Sequence, residues 1–457
     1  MGPGNECRDD SLGYGNARGG RVASDVLERQ AMSAAAFAPI TALLLSVALL
    51  LMGNGLQGTL LPVRANLEHF SATDIGVLGS AYFFGFAAGC LYGPRLIRRA
   101  GHIRAFTALV AIASCVVLVH SLVLNAYLWW VLRAMTGFCF AALYMIIESW
   151  LNEKSTNETR GFVFSLYTII NLTVMTIGQL MLGLDRPEDF PLFMLASILV
   201  SLAAVPIALT RAEAPAPIRS VSIRIRHLYR LSPVGVVGCL VVGIANGSFW
   251  SLAPVFAQEK GGDSWSVAIF MSVAVLAGAL GQWPLGRLSD KMDRRKVIIG
   301  AACCAAATGL LFVLWVPPWG SELLALIFLF GLFTLPIYGI AVAHMNDYVE
   351  SGGYVEAASG LLLVYAMGAV VGPLFSSVFM QYSGPDALFG VTAAVHLCLA
   401  GFALYRMSRR ARAPEEEHVA FTDSLNLAQT VSTIDPGAVD GEEDAAARKE
   451  TPPAAAK

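Results

Sequence analysis

The sequence predicts an all-α integral membrane protein with twelve transmembrane helices arranged as two six-helix bundles. Three observations support this prediction: the composition is apolar, long apolar runs recur along the chain, and the two halves repeat one another. Of the 457 residues, 56% are hydrophobic and only 14% are charged, and the mean hydropathy is +0.62. A soluble domain carries roughly 25% charged residues because its surface faces water. Much of this protein's surface must therefore face lipid.

Twelve apolar runs are each long enough to cross a bilayer, since a transmembrane helix needs about 20 mainly apolar residues. They lie at residues 36–62, 74–96, 103–124, 127–150, 161–184, 190–210, 232–257, 264–288, 296–316, 321–345, 357–380 and 385–407. A soluble protein with so many runs would have no polar helix faces left for water. We therefore expect each run to be a transmembrane helix.

The composition between and outside the runs predicts five regions. They are a disordered cytoplasmic leader at 1–33, an N-terminal six-helix bundle at 34–210, a cytoplasmic linker at 211–231, a C-terminal six-helix bundle at 232–408 and a disordered cytoplasmic tail at 409–457. The leader is polar and rich in Gly, and Met32 is an alternative start because the apolar pattern begins just after it. The tail is acidic and rich in Ala and Pro, which is typical of disorder.

Lysine and arginine are distributed unequally between the two sets of alternating loops. The rich set holds Arg95, Arg98, Arg99, Arg104, Lys154, Arg160, Arg211, Arg219, Arg224, Arg226, Arg230, Arg287, Lys291, Arg294, Arg295 and Lys296. The poor set holds Arg64, Arg186 and Lys260. Cytoplasmic loops carry the excess of positive residues, and the leader and the start of the tail fall on the rich side. We therefore expect both termini in the cytoplasm.

The two halves of the chain resemble one another in register. Residues 54–63 read NGLQGTLLPV and residues 246–255 read NGSFWSLAPV, so Asn, Gly, Pro and Val recur at an offset of about 190 residues. At nearly the same offset, Gly137 falls on Gly331. Parallel six-helix repeats are typical of transporters whose two bundles rock about a central site.

The loop between the eighth and ninth runs carries the most specific motif. Residues 286–295 read GRLSDKMDRR, which resembles the G-x-L-[AS]-D-[RK]-x-G-[RK]-[RK] signature of the major facilitator superfamily, with Asp293 in place of the second Gly. Residues 94–102, PRLIRRAGH, resemble a degenerate first-half copy. The resemblance covers about residues 34–408 and implies a transporter with the major facilitator fold.

Two further motifs resemble a bacterial inner-membrane branch of that family. They are RRAGHIR at 98–104 and ESWLN at 148–152. The branch includes riboflavin importers. The resemblance alone therefore implies a permease of the bacterial inner membrane that imports a small organic metabolite, with riboflavin as the best single candidate.

The motif loop supplies a candidate gate. Carboxylates paired with guanidinium groups hold a packed cytoplasmic face together, and the pairs break when that face opens. The candidate gate residues are Gly286, Asp290, Arg294, Arg295, Arg98 and Arg99. We expect Asp290 to pair with Arg294, and Arg294 or Arg295 to reach the other bundle. The alternative for the arginines is the ordinary excess of positive charge in cytoplasmic loops.

Arg133 is the only Lys or Arg well inside a predicted helix. Placing it there costs roughly 2.5–3.5 kcal/mol on insertion scales, so we expect it to face a partner or an aqueous cavity. It shares a helical face with Gly137, Tyr144 and Glu148, and with Gly137 it resembles the family's R-x-x-x-G motif. The alternative is an arginine whose side chain extends to the nearby outer surface.

The family resemblance implies a cavity lined mainly by the first, fourth, seventh and tenth helices. The candidate cavity residues there are Asn54, Gln57, Arg133, Tyr144, Glu148, Asn246, Trp250 and Tyr338. Amides and phenols beside aromatic rings suit a neutral, flat, hydrogen-bonding solute. The alternatives are hydrogen bonding between helices for the amides and core packing for the aromatic residues. No Asp or Glu lies near the centre of a run, so proton coupling and facilitated diffusion both stay open.

Other function classes are less consistent with the sequence. A proton-coupled drug or metabolite exporter of the same fold is the main alternative, and a membrane receptor or sensor is a remote one. Hydrolase and nucleotide-binding motifs are missing, so we expect no enzyme activity, metal or cofactor. The net charge of -2 provides no basic field for nucleic acid. The expected partners are a small-molecule substrate and membrane lipid, and the chain is expected to be a monomer.

Overall fold

The computed structural model describes residues 14–155, 159–209, 224–315, 317–350, 353–409, 420, 421 and 424, and side chains from residue 40 onward except 355. Within these ranges, twelve helices are long and apolar enough to cross a membrane. Spans 1–12 are Ile40–Leu67, Ala72–Ala100, His102–Leu122, Ala126–Lys154, Arg160–Leu184, Pro191–Leu209, Pro233–Glu259, Ser264–Lys291, Arg294–Leu314, Ser321–Asn346, Glu356–Ser383 and Ala387–Arg409. The prediction of an all-α protein with twelve transmembrane helices is confirmed.

Two spans are interrupted near a proline. Span 6 consists of helices Pro191–Leu202 and Ala204–Leu209, and span 10 consists of helices Ser321–Thr334 and Ile337–Asn346. Pro206 and Pro336 lack a backbone N–H and crowd the carbonyl four residues earlier, which breaks the regular hydrogen-bond ladder. The last turn of span 5, Met181–Leu184, is a 3₁₀ helix, and the helix of span 11 begins at Tyr354. A short helix at Ile225–Leu231 precedes span 7.

The chain ahead of span 1 differs from the predicted disordered leader. The helix that contains span 1 already begins at Tyr14 and runs to Leu67. Residues 21–38 contain no Gly or Pro and are rich in Ala, Leu, Glu and Arg, which favour helix. Residues 1–13 lie outside the described residues, as does most of the predicted linker, of which residues 224–231 are described.

The predicted disordered tail also differs at one point. The helix of span 12 ends at Arg409, but Phe421 is only 4% exposed and belongs to a hydrophobic cluster of the C-terminal half. A single aromatic residue in a polar segment buries enough apolar area to dock that segment. Residues 425–457 lie outside the described residues.

Glycines at equivalent positions bring equivalent spans together. A Cβ atom on Gly137 of span 4 would lie 2.0 Å from the carbonyl oxygen of Tyr82 in span 2. A Cβ atom on Gly331 of span 10 would lie 2.4 Å from the carbonyl oxygen of Ala274 in span 8. Both distances are far inside van der Waals contact, so these backbones approach closely only because the side chain is absent. The sequence repeat therefore encodes the same helix packing in each half.

The ends of the spans form two faces of the molecule. We name them the arginine-poor face, which holds the connections after spans 1, 3, 5, 7, 9 and 11, and the arginine-rich face, which holds the other connections. Toward the arginine-rich face, the large hydrophobic clusters of the two halves are separate, and a small cluster joins Cys90 and Ala141 of the first half to Leu362 of the second. Toward the arginine-poor face, one continuous cluster contains Leu60 and Ile75 from the first half with Phe249, Leu252 and Met380 from the second. The two halves therefore pack together mainly at the arginine-poor face.

Side-chain hydrogen bonds close the same face between the halves. Asn66 Nδ2 at the end of span 1 donates to Gln258 Oε1 at the end of span 7, with a distance of 3.0 Å between the two atoms. The two residues are 192 positions apart, which is the offset of the internal repeat. Thr73 of span 2 donates to Gln381 of span 11. We call the pairs Asn66–Gln258 and Thr73–Gln381 the seal.

Candidate functional site

A central cavity lies between the two halves, with the seal on its arginine-poor side. Its empty volume is about 1080 Å³ with the opening and the adjoining open solvent included. The N-terminal half contributes lining residues from spans 1, 2, 4 and 5, and the C-terminal half contributes them from spans 7, 8 and 11. Because both halves line it, a rocking motion of one half against the other would change access to the cavity.

Four of the predicted cavity residues lie in the lining. They are Asn54, Arg133, Tyr144 and Trp250. Asn54 faces the cavity from span 1 together with Gly58 and Pro62, which follow it at intervals of four residues along one helical face. The participation of these residues in substrate binding stays a prediction.

The other four predicted residues lie outside the described lining. Gln57 is buried in span 1, rotated away from the face that carries Asn54 and Gly58. Asn246 is buried one turn from Trp250, toward the arginine-rich end of span 7. The family resemblance implied lining by spans 1, 4, 7 and 10; spans 1, 4 and 7 contribute to the described lining and span 10 does not. For Gln57 and Asn246 the helix was correct but the rotation of the helix about its axis was not.

Tyr338 and Glu148 also lie behind the lining. The Tyr338 ring packs against the Tyr365 ring, with 5.0 Å between the ring centroids, and it is Tyr365 that reaches the cavity. Glu148 is buried one turn beyond Tyr144 and accepts a hydrogen bond of 3.4 Å from the Tyr167 hydroxyl. Both residues therefore support the wall of the cavity from behind.

Sequence reasoning missed several lining residues in spans 2, 5 and 11. Tyr82, Phe86, Gln179 and Tyr365 all face the cavity. We did not predict them because the family resemblance implied a cavity lined mainly by spans 1, 4, 7 and 10. The amides Asn171 and Gln179 are the sequence features that could have indicated a polar role for span 5.

Arg133 is buried at the cavity wall rather than extended to the surface. Only 8% of the residue is exposed, and its guanidinium carbon lies 4.4 Å from the centre of the Tyr82 ring. Its Nη1 atom is buried with no hydrogen-bond partner among the described residues. Gly137, one turn along span 4, allows the backbone of span 2 to approach and so places Tyr82 beside Arg133. The cavity thus combines a cation, amides and aromatic rings.

Two of the predicted gate residues, Asp290 and Arg294, belong to a compact ion-pair cluster at the arginine-rich face. Arg294 Nη1 donates to Asp290 Oδ1 at 3.1 Å, and Arg294 Nε donates to Asp347 Oδ2 at 2.7 Å. Arg294 and Asp347 have side chains that are each 1% exposed. Asp290, Asp347 and Ser289, whose hydroxyl accepts from Arg294 Nη1 at 3.0 Å, all lie in the C-terminal half. These contacts tie the loop after span 8 to the end of span 10 within one bundle. A contact of Arg294 or Arg295 with the other bundle stays a prediction.

Asp290 and Gly286 also hold the tail. The Phe421 backbone N–H donates to Asp290 Oδ1, with 3.0 Å between the two atoms. A Cβ atom on Gly286 would lie 2.3 Å from the nearest carbon of the Phe421 ring. The motif glycine therefore leaves the space that the Phe421 ring fills, a contact that nothing in the sequence pattern indicated.

Asp293, which replaces the second glycine of the motif, caps span 9. Its carboxylate accepts from the Arg295 backbone N–H at 3.0 Å and from Arg295 Nη2 at 2.7 Å. Burial raises the pKa of the Asp293 carboxyl, but the hydrogen bonds from Arg295 outweigh burial and hold that pKa below its ordinary value. Arg295 is thus held by its neighbour in the same half, while Arg98 and Arg99 are exposed at the end of span 2.

Comparisons of the sequence with known proteins agree on one family. The Major Facilitator Superfamily family model matches residues 43–321 and 235–436. An uncharacterized MFS-type transporter, YcaD, from Shigella flexneri is 29% identical over 361 residues, which is 78% of this chain and 93% of that protein. YcaD from Escherichia coli O17:K52:H18 is similar to the same degree.

Solved structures resemble the fold at low sequence identity. The nucleoside transporter NupG aligns with a TM-score of 0.68 at 12% identity, covering 82% of this chain and all of that chain. A bacterial homologue of the human lysosomal transporter Spinster, inward-facing and occupied, aligns with a TM-score of 0.61 at 15% identity, covering 91% and 98% of the two chains. These structures share the fold, and the family model, which covers most of the chain, shows that the chain belongs to the Major Facilitator Superfamily.

Proposed function

We propose that this transporter is a permease that moves a small organic metabolite across the bacterial inner membrane by alternating access. The observation that carries the proposal is the central cavity, which is lined by both halves and has the seal on one side only. A solute held there contacts both bundles, so its binding energy acts on their relative position. A monomer suffices for this mechanism, because one chain supplies the whole lining.

The orientation follows from the loop charges. If the arginine-rich face is cytoplasmic, as the excess of positive residues favours, both termini are cytoplasmic and the seal closes the outer side. The structure then corresponds to an inward-facing state. In the outward-facing state, the seal parts and the bundles approach one another at the arginine-rich face. The ion pairs of Arg294 lie within one bundle, so they move with that bundle as a unit rather than breaking.

Riboflavin import is the specific function that the sequence resemblance supports. The aromatic rings of Tyr82, Phe86 and Trp250 in the lining suit a flat ring system. The test is uptake of labelled riboflavin and of a metabolite panel into right-side-out and inverted vesicles, with and without a pH gradient. We expect saturable uptake of at least one panel member, competed by its unlabelled form and absent from vesicles without the protein.

Each outcome of this experiment decides a different part of the proposal. Failure of riboflavin to accumulate or compete removes riboflavin but not the permease. Preferential movement outward and dependence on the pH gradient would favour the alternative exporter. No saturable movement of any member in either direction would contradict the permease itself.

A further inference from the structure

Arg133 is the only charged residue in the described lining of the cavity. Glu148 of the same helix does not neutralise it, because fifteen residues of helix separate the two by about 22 Å. The Tyr82 ring covers one face of the guanidinium, but the N–H groups point outward in the guanidinium plane, and Nη1 has no partner among the described residues. A buried cation with a free N–H edge in a cavity is an incomplete site.

A second unpaired atom lies in the same lining. Gln179 is buried in span 5, and its Oε1 atom has no hydrogen-bond partner among the described residues. The cavity wall therefore holds a cationic donor, Arg133 Nη1, and a neutral acceptor, Gln179 Oε1, that both lack a hydrogen-bond partner among the described residues. A ligand that satisfies both carries an anionic oxygen and also an N–H or O–H group.

We propose that Arg133 is the anion-binding residue of the cavity and that the substrate is a flat organic anion, of the carboxylate or phosphate class. The inference rests on the proposed permease function and narrows its substrate. The anionic group accepts from the in-plane N–H groups of Arg133, since the stacked Tyr82 ring lies over the face of the guanidinium and Nη1 is buried without a partner among the described residues. The apolar ring of the substrate lies against Phe86 and Trp250, and Gln179 accepts a hydrogen bond from it.

This inference changes the expected charge of the substrate. The sequence favoured a neutral solute because amides, phenols and aromatic rings predominate among the candidate cavity residues, which also included Arg133 and Glu148. In the structure, Arg133 lies in the same lining as those groups. A neutral flavin would leave the guanidinium without a counter-charge, whereas its phosphorylated form would supply one.

The test compares matched anionic and neutral probes. Calorimetry on the full chain in nanodiscs measures the binding of nicotinate against nicotinamide, phenylacetate against phenylacetamide, and riboflavin 5′-phosphate against riboflavin. We expect the wild type to bind the anion of at least one pair more tightly than its neutral partner by about tenfold or more. Equal binding of the two members of every pair, or binding of neither member in all three pairs, overturns the proposal.

Variants of Arg133 separate an anion site from a structural arginine. Arg133→Gln is expected to abolish the preference for the anion and to leave binding of the neutral probe within about twofold. Arg133→Lys keeps the charge and loses the planar edge, so it should retain part of the preference. The matched control is Arg287→Gln, because Arg287 also stacks on a ring, Trp283 at 4.5 Å, but outside the cavity. Its anion preference should equal that of the wild type.

Thermal stability provides a readout that does not depend on a ligand. A buried arginine that is retained for binding destabilises the folded protein when no ligand is bound. We therefore expect Arg133→Gln to have the same melting temperature as the wild type or a higher one. A clear fall in melting temperature would assign Arg133 a structural role and overturn the proposal. Saturable uptake of a neutral solute, unchanged in Arg133→Gln, would also overturn it but would leave the permease function intact.

Discussion

At the residue scale, the closest packing in the molecule depends on single glycines. Gly137 touches the backbone of span 2, so any side chain there must push span 4 away from Tyr82. Overpacking of this kind typically costs about 1–3 kcal/mol. We expect Gly137→Ala to lower the melting temperature of the purified protein and to weaken substrate binding, because Arg133 and Tyr82 separate.

The control for this prediction is another helical glycine. A Cβ atom on Gly161 in span 5 would meet nothing within 4 Å, so Gly161→Ala should leave the melting temperature unchanged or raise it slightly. Equal melting temperatures for Gly137→Ala and the wild type would show that spans 2 and 4 are not packed this closely.

A second prediction concerns the two carboxylates around Arg294. Asp347 is 1% exposed and Asp290 is 35% exposed, so their ion pairs with the same guanidinium differ in burial. Removing one partner of a buried pair typically costs about 3–5 kcal/mol, whereas an exposed pair is worth about 0–1 kcal/mol. We expect Asp347→Asn to destabilise the protein much more than Asp290→Asn, as measured by thermal unfolding in the same detergent.

Asp290→Asn should instead affect the transport cycle. The loop after span 8 moves with its bundle, and Asp290 links that loop to Arg294 and to the tail. In a reconstituted assay, Asp290→Asn is expected to slow transport more than it weakens substrate binding. Equal losses of both would argue against a role of this loop in the motion of its bundle.

Part of the site could be predicted at the residue scale and part could not. Asn54, Arg133 and Trp250 stand out because a polar, charged or bulky amphipathic residue is costly in a lipid-facing position. Tyr82 and Tyr365 lie in spans that are mainly apolar and aromatic, and the few polar residues of these spans, such as Ser80 and Ser377, did not identify the side that meets the cavity. Gln57 was misplaced for the same reason, since a rotation of span 1 by a fraction of a turn decides which amide lines the cavity.

At the element scale, the spans are set by hydrophobic length, but the segments outside them are not. In the described part of the tail, the Phe421 ring fills the space beside Gly286, and Ser424 is fully buried as well. Composition alone predicted disorder there, because a single aromatic residue hardly changes the composition of an acidic segment. The replacement of the motif's second glycine by Asp293 is likewise explained only by the structure, in which Asp293 caps span 9.

The docked tail leads to a third prediction. Replacing a buried Phe by Ala typically costs about 3–5 kcal/mol when the ring packs in a core. Phe421→Ala should therefore lower the melting temperature of the full chain and increase hydrogen exchange in the loop around Asp290. Tyr405→Ala, an exposed aromatic position in span 12, is the matched control and should change neither. If Phe421→Ala behaves like this control, the tail is not docked in solution.

At the scale of the whole molecule, the repeat predicts the two bundles but not which face is closed. The offset of 192 residues relates Asn66 to Gln258, so the seal forms between equivalent ends of spans 1 and 7. A sequence repeat indicates that such ends lie near a common axis. It does not indicate the distance between them, because the same sequence must adopt states in which they meet and states in which they part.

The central claim is that the two bundles rock about the cavity, with the seal closed in the state described. Each neutral hydrogen bond of the seal contributes about 0.5–1.5 kcal/mol, so Asn66→Ala combined with Gln258→Ala should increase the population of the opposite state several-fold.

The most direct measurement is double electron–electron resonance with two label pairs, His69 with Ser383 at the arginine-poor face and Arg99 with Lys291 at the arginine-rich face. All four positions are exposed. The account predicts that the seal variant gains a longer His69–Ser383 distance and a shorter Arg99–Lys291 distance in equal proportion. Distances that stay fixed, or that lengthen together at both faces, would contradict it.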